Sequence, residues 1–236
     1  MVVRPAGLNV LIACLFILGS ACFVLGSVPA YVNAVGGPVD GLTYLVGSIF
    51  FTAASFAQLV QAQSPGMTSV TAARQNTRAP VRLWNWMPHD RNWLAAATQF
   101  PGTVFFNVST LAALTHNATA AETDRYVWRP DLFGSTLFLV ASTFGILAVS
   151  DHLLSLETRS LPWRIAWLNM VGSILFMASA LASYVLPSTD ELVSTRVSVV
   201  GTLLGAVCFL IGAALMFPAW RQALKPAQPA TRPEDR

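Results

Sequence analysis

Residues 169–176 read Asn-Met-Val-Gly-Ser-Ile-Leu-Phe, and the core of this stretch recurs along the chain. The core is a glycine, a hydroxyl residue directly after it, and a phenylalanine four positions after the glycine. Six apolar stretches carry the first two residues: Gly19-Ser20, Gly47-Ser48, Gly102-Thr103, Gly134-Ser135, Gly172-Ser173 and Gly201-Thr202. The phenylalanine follows in five of them, at Phe23, Phe51, Phe106, Phe138 and Phe176. Gly205 takes its place in the sixth. Because a four-residue spacing keeps side chains on one helical face, the pattern predicts six helices that pack through their glycines.

The composition indicates that these helices lie in a membrane. Hydrophobic residues make up 54% of the 236 positions and charged residues only 11%, whereas about a quarter of the residues in soluble proteins are charged. Six charge-free runs contain the repeated stretches, and each is long enough for a spanning helix of roughly 20 residues. We therefore predict an all-α, polytopic membrane helix bundle with six transmembrane helices, and the repeat allows three copies of a helical hairpin.

The chain divides into one membrane domain, residues 1–220, and a polar tail, residues 221–236, that is too short to fold alone and is expected to be disordered. The helices are placed at approximately residues 8–28, 42–62, 93–115, 132–152, 164–186 and 190–217. Residues 63–91 form the longest loop. Ser188 and Glu191 have the spacing of a capping box at the start of the last helix.

Arginine and lysine residues are distributed unequally between the two sides of the predicted bundle. Eleven of the 14 lie at the N-terminus, in the second and fourth loops and in the tail, and three lie on the other side. By the positive-inside rule, both termini and loop 63–91 are cytoplasmic. We expect a multi-pass protein of the inner (plasma) membrane that contacts the lipid bilayer. No dense basic run is present, so we expect no nucleic-acid partner.

Polar residues near the repeated glycines form the candidate site. Four of them lie three positions before a glycine, and a fifth lies close by: Gln99, Asp131, Asn169 and Ser198, with Arg196. One interpretation is a polar seam through helices three to six, and the other is hydrogen bonding between packed helices. Asp131 could be a charged functional group, or it could cap the fourth helix by accepting bonds from free N–H groups. Arg196 could pair with Asp131 or extend to the membrane interface.

No motif in the sequence indicates an enzyme. The patterns G-x-S-x-G, H-E-x-x-H and C-x-x-C are absent, and no charged residue lies near a predicted helix midpoint. We expect no catalytic residue, no cofactor and no bound metal. The leading hypothesis is a non-enzymatic membrane component, either an accessory subunit or an assembly partner. Its partner would be another membrane protein or a second copy of the chain. The alternative is a small channel or transporter that uses the seam.

Several of these stretches resemble the bacterial YrhK-like membrane proteins. The stretches are residues 16–20, 44–51, 99–107, 128–139, 169–176 and 200–202. The first two and the last two are similar to the two-helix unit of that family, and the middle two are similar to its multi-pass relatives. The sequence departs from the pattern at Gly205 and at Pro101. The resemblance implies a bacterial inner-membrane location and no established activity.

Overall fold

The structure, a computed structural model, describes residues 2–64, 66–67, 77–115, 119–150, 158 and 160–225. In chain order its elements are β1 (Val2–Val3), α1 (Pro5–Gly26), α2 (Pro29–Val35), α3 (Gly37–Ala62), β2 (Ala79–Pro80), α4 (Arg91–Thr115), α5 (Ala120–Thr123), a π-helical turn (Asp124–Trp128), α6 (Arg129–Val149), α7 (Leu161–Ala182), β3 (Val185–Leu186), β4 (Glu191–Leu192) and α8 (Thr195–Leu224). Two short antiparallel pairs join β1 to β2 and β3 to β4. The predicted all-α helical bundle is confirmed.

The six long helices of the described residues form a closed ring of three antiparallel hairpins. The hairpins are α1 with α3, α4 with α6, and α7 with α8. Adjacent hairpins pack through α3 and α4, through α6 and α7, and through α8 and α1, so the last helix contacts the first. We call the end of the ring with Pro5 and Leu224 the terminal face and the opposite end the distal face.

In the part of the chain that the structure describes, five helices are long and apolar enough to cross a membrane: α1, α3, the continuous helix Ala120–Val149, α7 and α8. The predicted count of six spans is therefore not exact, and α4 is the exception. Its polar groups bond neighbouring helices, with Asn107 Nδ2 donating to Thr52 Oγ1 at 2.9 Å and Thr110 Oγ1 lying 3.0 Å from Ser48 Oγ. Such groups lower the mean hydropathy of a helix although they face other helices rather than lipid.

The loop after α3 packs against the terminal face where it is described. Met67 is fully buried and clusters with Leu8 and Ile12 of α1. The backbone N–H of Arg82 donates to Ser64 Oγ at 2.9 Å, which ties the end of the loop to the end of α3. Three large apolar side chains that follow are exposed: Leu83, Trp84 and Trp86. Residues 65 and 68–76 of the predicted loop lie outside the described residues, as do residues 226–236 of the predicted tail.

The last helix begins later than predicted. Residues around Ser188 form the turn of the β3–β4 hairpin, in which Asp190 has a left-handed φ of 56°. This turn follows Pro187, which cannot donate a helical hydrogen bond. Helix α8 starts at Thr195, and Ser194 Oγ caps it by accepting the N–H of Val197 at 3.3 Å.

The predicted cap at Asp131 is also wrong. The helix starts at Ala120, where Thr119 and Glu122 form a capping box. It then passes through the π-helical turn Asp124–Trp128 into α6. Such π turns occur as single wide turns within α-helices, so the helix continues past Pro130 even though proline lacks an N–H. Asp131 is therefore two turns or more beyond the free N–H groups that it was expected to satisfy.

Candidate functional site

Each hairpin has two facing glycines near its middle. In the first hairpin, a Cβ on Gly47 would lie 2.8 Å from Cys22 Cβ and 3.1 Å from the carbonyl oxygen of Gly19. Those distances are too short for a side chain, so the two backbones approach because neither residue has one. The equivalent pairs are Gly102 with Gly134 and Gly172 with Gly205.

The third hairpin is registered on Gly205 rather than on Gly201. Gly201 also lies at a helix contact, since a Cβ there would be 2.8 Å from the carbonyl oxygen of Leu175. Gly205, however, faces Gly172. Counted from Gly205, the repeat reads Gly-Ala-Val-Cys-Phe, so Phe209 supplies the phenylalanine that the sixth stretch lacked. Ala206 takes the place of the hydroxyl residue.

Six phenylalanines fill the axis of the ring, and we call them the phenylalanine plug: Phe23, Phe51, Phe106, Phe138, Phe176 and Phe209. Each ring lies four residues, or about 6 Å along the helix, beyond its glycine. Because the two helices of a hairpin are antiparallel, this offset points toward opposite faces. The first helix of each hairpin therefore supplies a distal layer of three rings, and the second supplies a terminal layer.

The two layers are in direct contact. In the terminal layer, the ring centroids of Phe51, Phe138 and Phe209 are 5.7–6.5 Å apart. Within the hairpins, the centroid distances between layers are 5.4, 5.1 and 5.1 Å. All six of these pairs are edge-on or tilted, which is a favourable arrangement for aromatic rings. The plug therefore closes the middle of the ring with packed aromatic side chains.

A cavity of about 150 Å³ lies on the terminal side of the plug, and we call it the axial chamber. All six long helices contribute to its wall, and the three rings of the terminal layer form one end of it. Its polar wall consists of three carboxamides and one hydroxyl, at Gln58, Gln99, Asn169 and Ser142. None of the described residues that line it is charged.

The structure separates the residues of the predicted seam. Gln99 and Asn169 both line the axial chamber. Asp131 and Ser198 belong to the second helices of their hairpins. Because these helices run in the opposite direction, a position three residues before a repeated glycine lies toward the distal face. Arg196 is exposed in the first turn of α8. Among the described residues the salt bridge is between Arg129 and Asp124 at 2.7 Å, so Asp131 and Arg196 are not paired there.

Hydroxyl residues connect adjacent hairpins at equivalent positions. Ser55 Oγ lies 3.2 Å from Thr103 Oγ1 between α3 and α4, and Ser142 Oγ lies 2.8 Å from Ser173 Oγ between α6 and α7. Between α8 and α1 the equivalent of Ser55 and Ser142 is Ala213. The fully buried Ser20 Oγ of α1 accordingly has no hydrogen-bond partner among the residues that the structure describes.

Sequence reasoning missed two residues that define this region, Gln58 and Phe209. Gln58 was missed because it lies eleven residues after Gly47, outside the repeat, although it is one of only two carboxamides in the predicted second helix, residues 42–62. Phe209 was missed because the sixth stretch was aligned with the others by its hydroxyl residue, Thr202, and not by its phenylalanine. Aligning the six stretches on phenylalanine would have found it.

The described residues contain no group of three or more His, Cys, Asp or Glu side chains that could hold a metal ion. Comparisons with protein families, with characterised proteins and with solved structures find no match to this chain.

Proposed function

We propose that the protein is a non-enzymatic integral component of the membrane, an accessory subunit or assembly partner, and not an open pore. The observation that supports this proposal most strongly is the phenylalanine plug. An axial path for ions or polar solutes would have to pass two layers of buried aromatic rings, which offer no hydrogen bonds to replace lost hydration.

In this proposal all six long helices cross the membrane, including α4. Its position between α3 and α6 in the ring and its length of 25 residues support the sixth span. Both termini are then on one side, which the distribution of basic residues assigns to the cytoplasm of the inner membrane. The resemblance to YrhK-like proteins agrees with this placement and stays a prediction.

A flux assay tests the closed axis. Purified protein in liposomes is expected to leave the permeability to protons, K⁺ and small neutral solutes at the level of protein-free liposomes. Replacing both layers, in a variant in which all six phenylalanines of the plug are alanine, provides the opened comparison. Solute flux through the wild-type protein would refute the proposal and favour the channel or transporter alternative.

A crosslinking experiment tests for a partner. Photoreactive residues at one exposed, lipid-facing position on each of the six long helices, including Phe133 of α6 and Leu181 of α7, probe every face of the ring in native membranes. A subunit or assembly partner should give a discrete crosslinked product from at least one position. If lipid-facing positions on all six helices give only lipid adducts, the proposed role as a component of a larger assembly is wrong.

A further inference from the structure

We propose that the axial chamber is a binding site for a small, uncharged molecule with an amide or hydroxyl head on an apolar body. The inference does not rest on the proposed function, because occupancy of the chamber and flux through the ring are measured separately. It rests on the polar groups, the charge and the size of the chamber.

The three hairpins each supply one carboxamide to the chamber. Gln58 comes from α3, Gln99 from α4 and Asn169 from α7. In the first hairpin, Phe16 occupies the position equivalent to Gln99 and Asn169, three residues before the glycine, and it also lines the chamber. The wall is thus aromatic at one third of this level and polar at the other two.

These carboxamides have unused hydrogen-bonding capacity. None of the three side chains donates or accepts a hydrogen bond among the described residues, and Gln58 Oε1 is fully buried without a partner. Each carboxamide offers two N–H donors and a carbonyl acceptor. Leaving a buried polar atom unsatisfied is unfavourable, so Gln58 Oε1 requires a donor that the described protein does not provide, and the unbonded carboxamides of Gln99 and Asn169 can bond the same molecule. Ser142 differs, because its hydroxyl is already bonded to Ser173.

Charge and volume restrict what can supply those partners. An ion in the chamber would meet no opposite charge among the described lining residues, which is strongly unfavourable away from water. A cavity of about 150 Å³ is the size that accommodates a benzene-sized molecule when its walls are apolar. Here aromatic rings face the carboxamides, so the fitting molecule has an apolar body of about that size and a neutral head that both donates and accepts.

Fluorine NMR with 4-fluorophenol tests the site on the full chain in lipid nanodiscs. The wild-type protein should show saturable binding above the non-saturable partitioning into lipid, and fluorobenzene, which lacks the head, should bind more weakly. Gln99→Leu and Asn169→Leu, made separately, should each weaken 4-fluorophenol binding about two- to tenfold, as expected for one lost hydrogen bond. Gly145→Leu should abolish binding by filling the chamber, since nothing lies within 4 Å of a Cβ at Gly145.

Ser198→Ala provides the matched control, because it removes a hydroxyl near the distal face and should leave binding unchanged. Circular dichroism and the elution profile identify variants that fail to fold, and any one folded chamber variant suffices for the comparison. A chamber that holds water only, seen as no saturable binding to the wild-type protein, would overturn the proposal. Binding that persists unchanged in folded Gly145→Leu protein would overturn it as well.

Discussion

Adding one methyl group to Gly134 is expected to destabilise the ring, whereas adding one to Gly145 of the same helix is expected to stabilise it. A Cβ at Gly134 would lie 2.8 Å from Phe106 Cε1 and 3.0 Å from the carbonyl oxygen of Gly102. Phe106 has little room to move, because its ring is 5.1 Å from that of Phe138 and is 4% exposed. The methyl group must therefore push two helices apart.

The expected size of the effect follows from two opposing contributions. Replacing glycine by alanine within a helix stabilises it by about 1 kcal/mol, and this contribution is common to both variants. Overpacking a tight core costs about 1–3 kcal/mol, and only Gly134→Ala incurs it. The two variants should therefore differ by about 1–3 kcal/mol, with Gly145→Ala the more stable.

The assay is reversible unfolding in mixed micelles with increasing SDS, followed by circular dichroism, for the wild type and both variants. Gly145→Ala controls for helix propensity, because nothing lies within 4 Å of its new methyl group. Equal midpoints for Gly134→Ala and Gly145→Ala would show that Gly134 is not at a tight contact and would refute the packing argument.

Three further outcomes can be measured. Ala213→Ser should give the unpaired serine of α1 a partner and raise the unfolding free energy by about 0.6 kcal/mol; a loss would contradict the equivalence of the hairpins. Thr119→Ala should cost about 1 kcal/mol as a lost cap, whereas Asp131→Ala should show no such cost in the same unfolding assay. In a cysteine-free background, Ala121→Cys should react with an impermeant maleimide on intact cells and Gln222→Cys should not; the reverse labelling would invert the proposed orientation.

The repeat in the sequence predicts the helices and their packing faces well, because a glycine and a phenylalanine four residues apart leave few alternatives in an apolar helix. The repeat does not predict where a helix ends, because residues near the ends can form turns or π-helical segments in place of the expected helix start. Ser188 and Glu191 have the spacing of a capping box, yet the segment that begins at Ser188 follows Pro187 and forms the turn of the β3–β4 hairpin. Likewise Asp131 follows Pro130, which usually marks a helix start, but a π turn carries the helix through that position.

The candidate site was predicted only in part, for a geometrical reason. The prediction of a seam assumed that residues at the same sequence distance before a glycine lie at the same depth along the bundle. This holds only for helices that run in the same direction. Gln99 and Asn169 are both in first helices of hairpins and meet in the chamber, whereas Asp131 lies in a second helix and is on the other side of the plug. The order of the helices around the ring, in which α8 packs against α1, could not be predicted from the spacing of residues in the sequence either.

The antiparallel repeat accounts for both the closed axis and the chamber beside it. Six copies of one motif, read in alternating directions, place six phenylalanines in two layers of three, so the middle of the ring is filled by side chains that the motif itself supplies. Beyond the terminal layer the motif no longer dictates residue size. There α6 carries Gly145, where nothing lies within 4 Å of an added Cβ, and this open volume is part of the chamber.

A molecule bound in the chamber would contact the terminal layer directly. Displacing one of those rings requires moving its neighbours, because their centroids are at most 6.5 Å apart. Occupancy is therefore expected to stabilise the closed ring, and 4-fluorophenol should raise the unfolding midpoint of the wild-type protein but not that of Gly145→Leu. An equal shift in both proteins would show that the molecule acts through the lipid and not through the chamber.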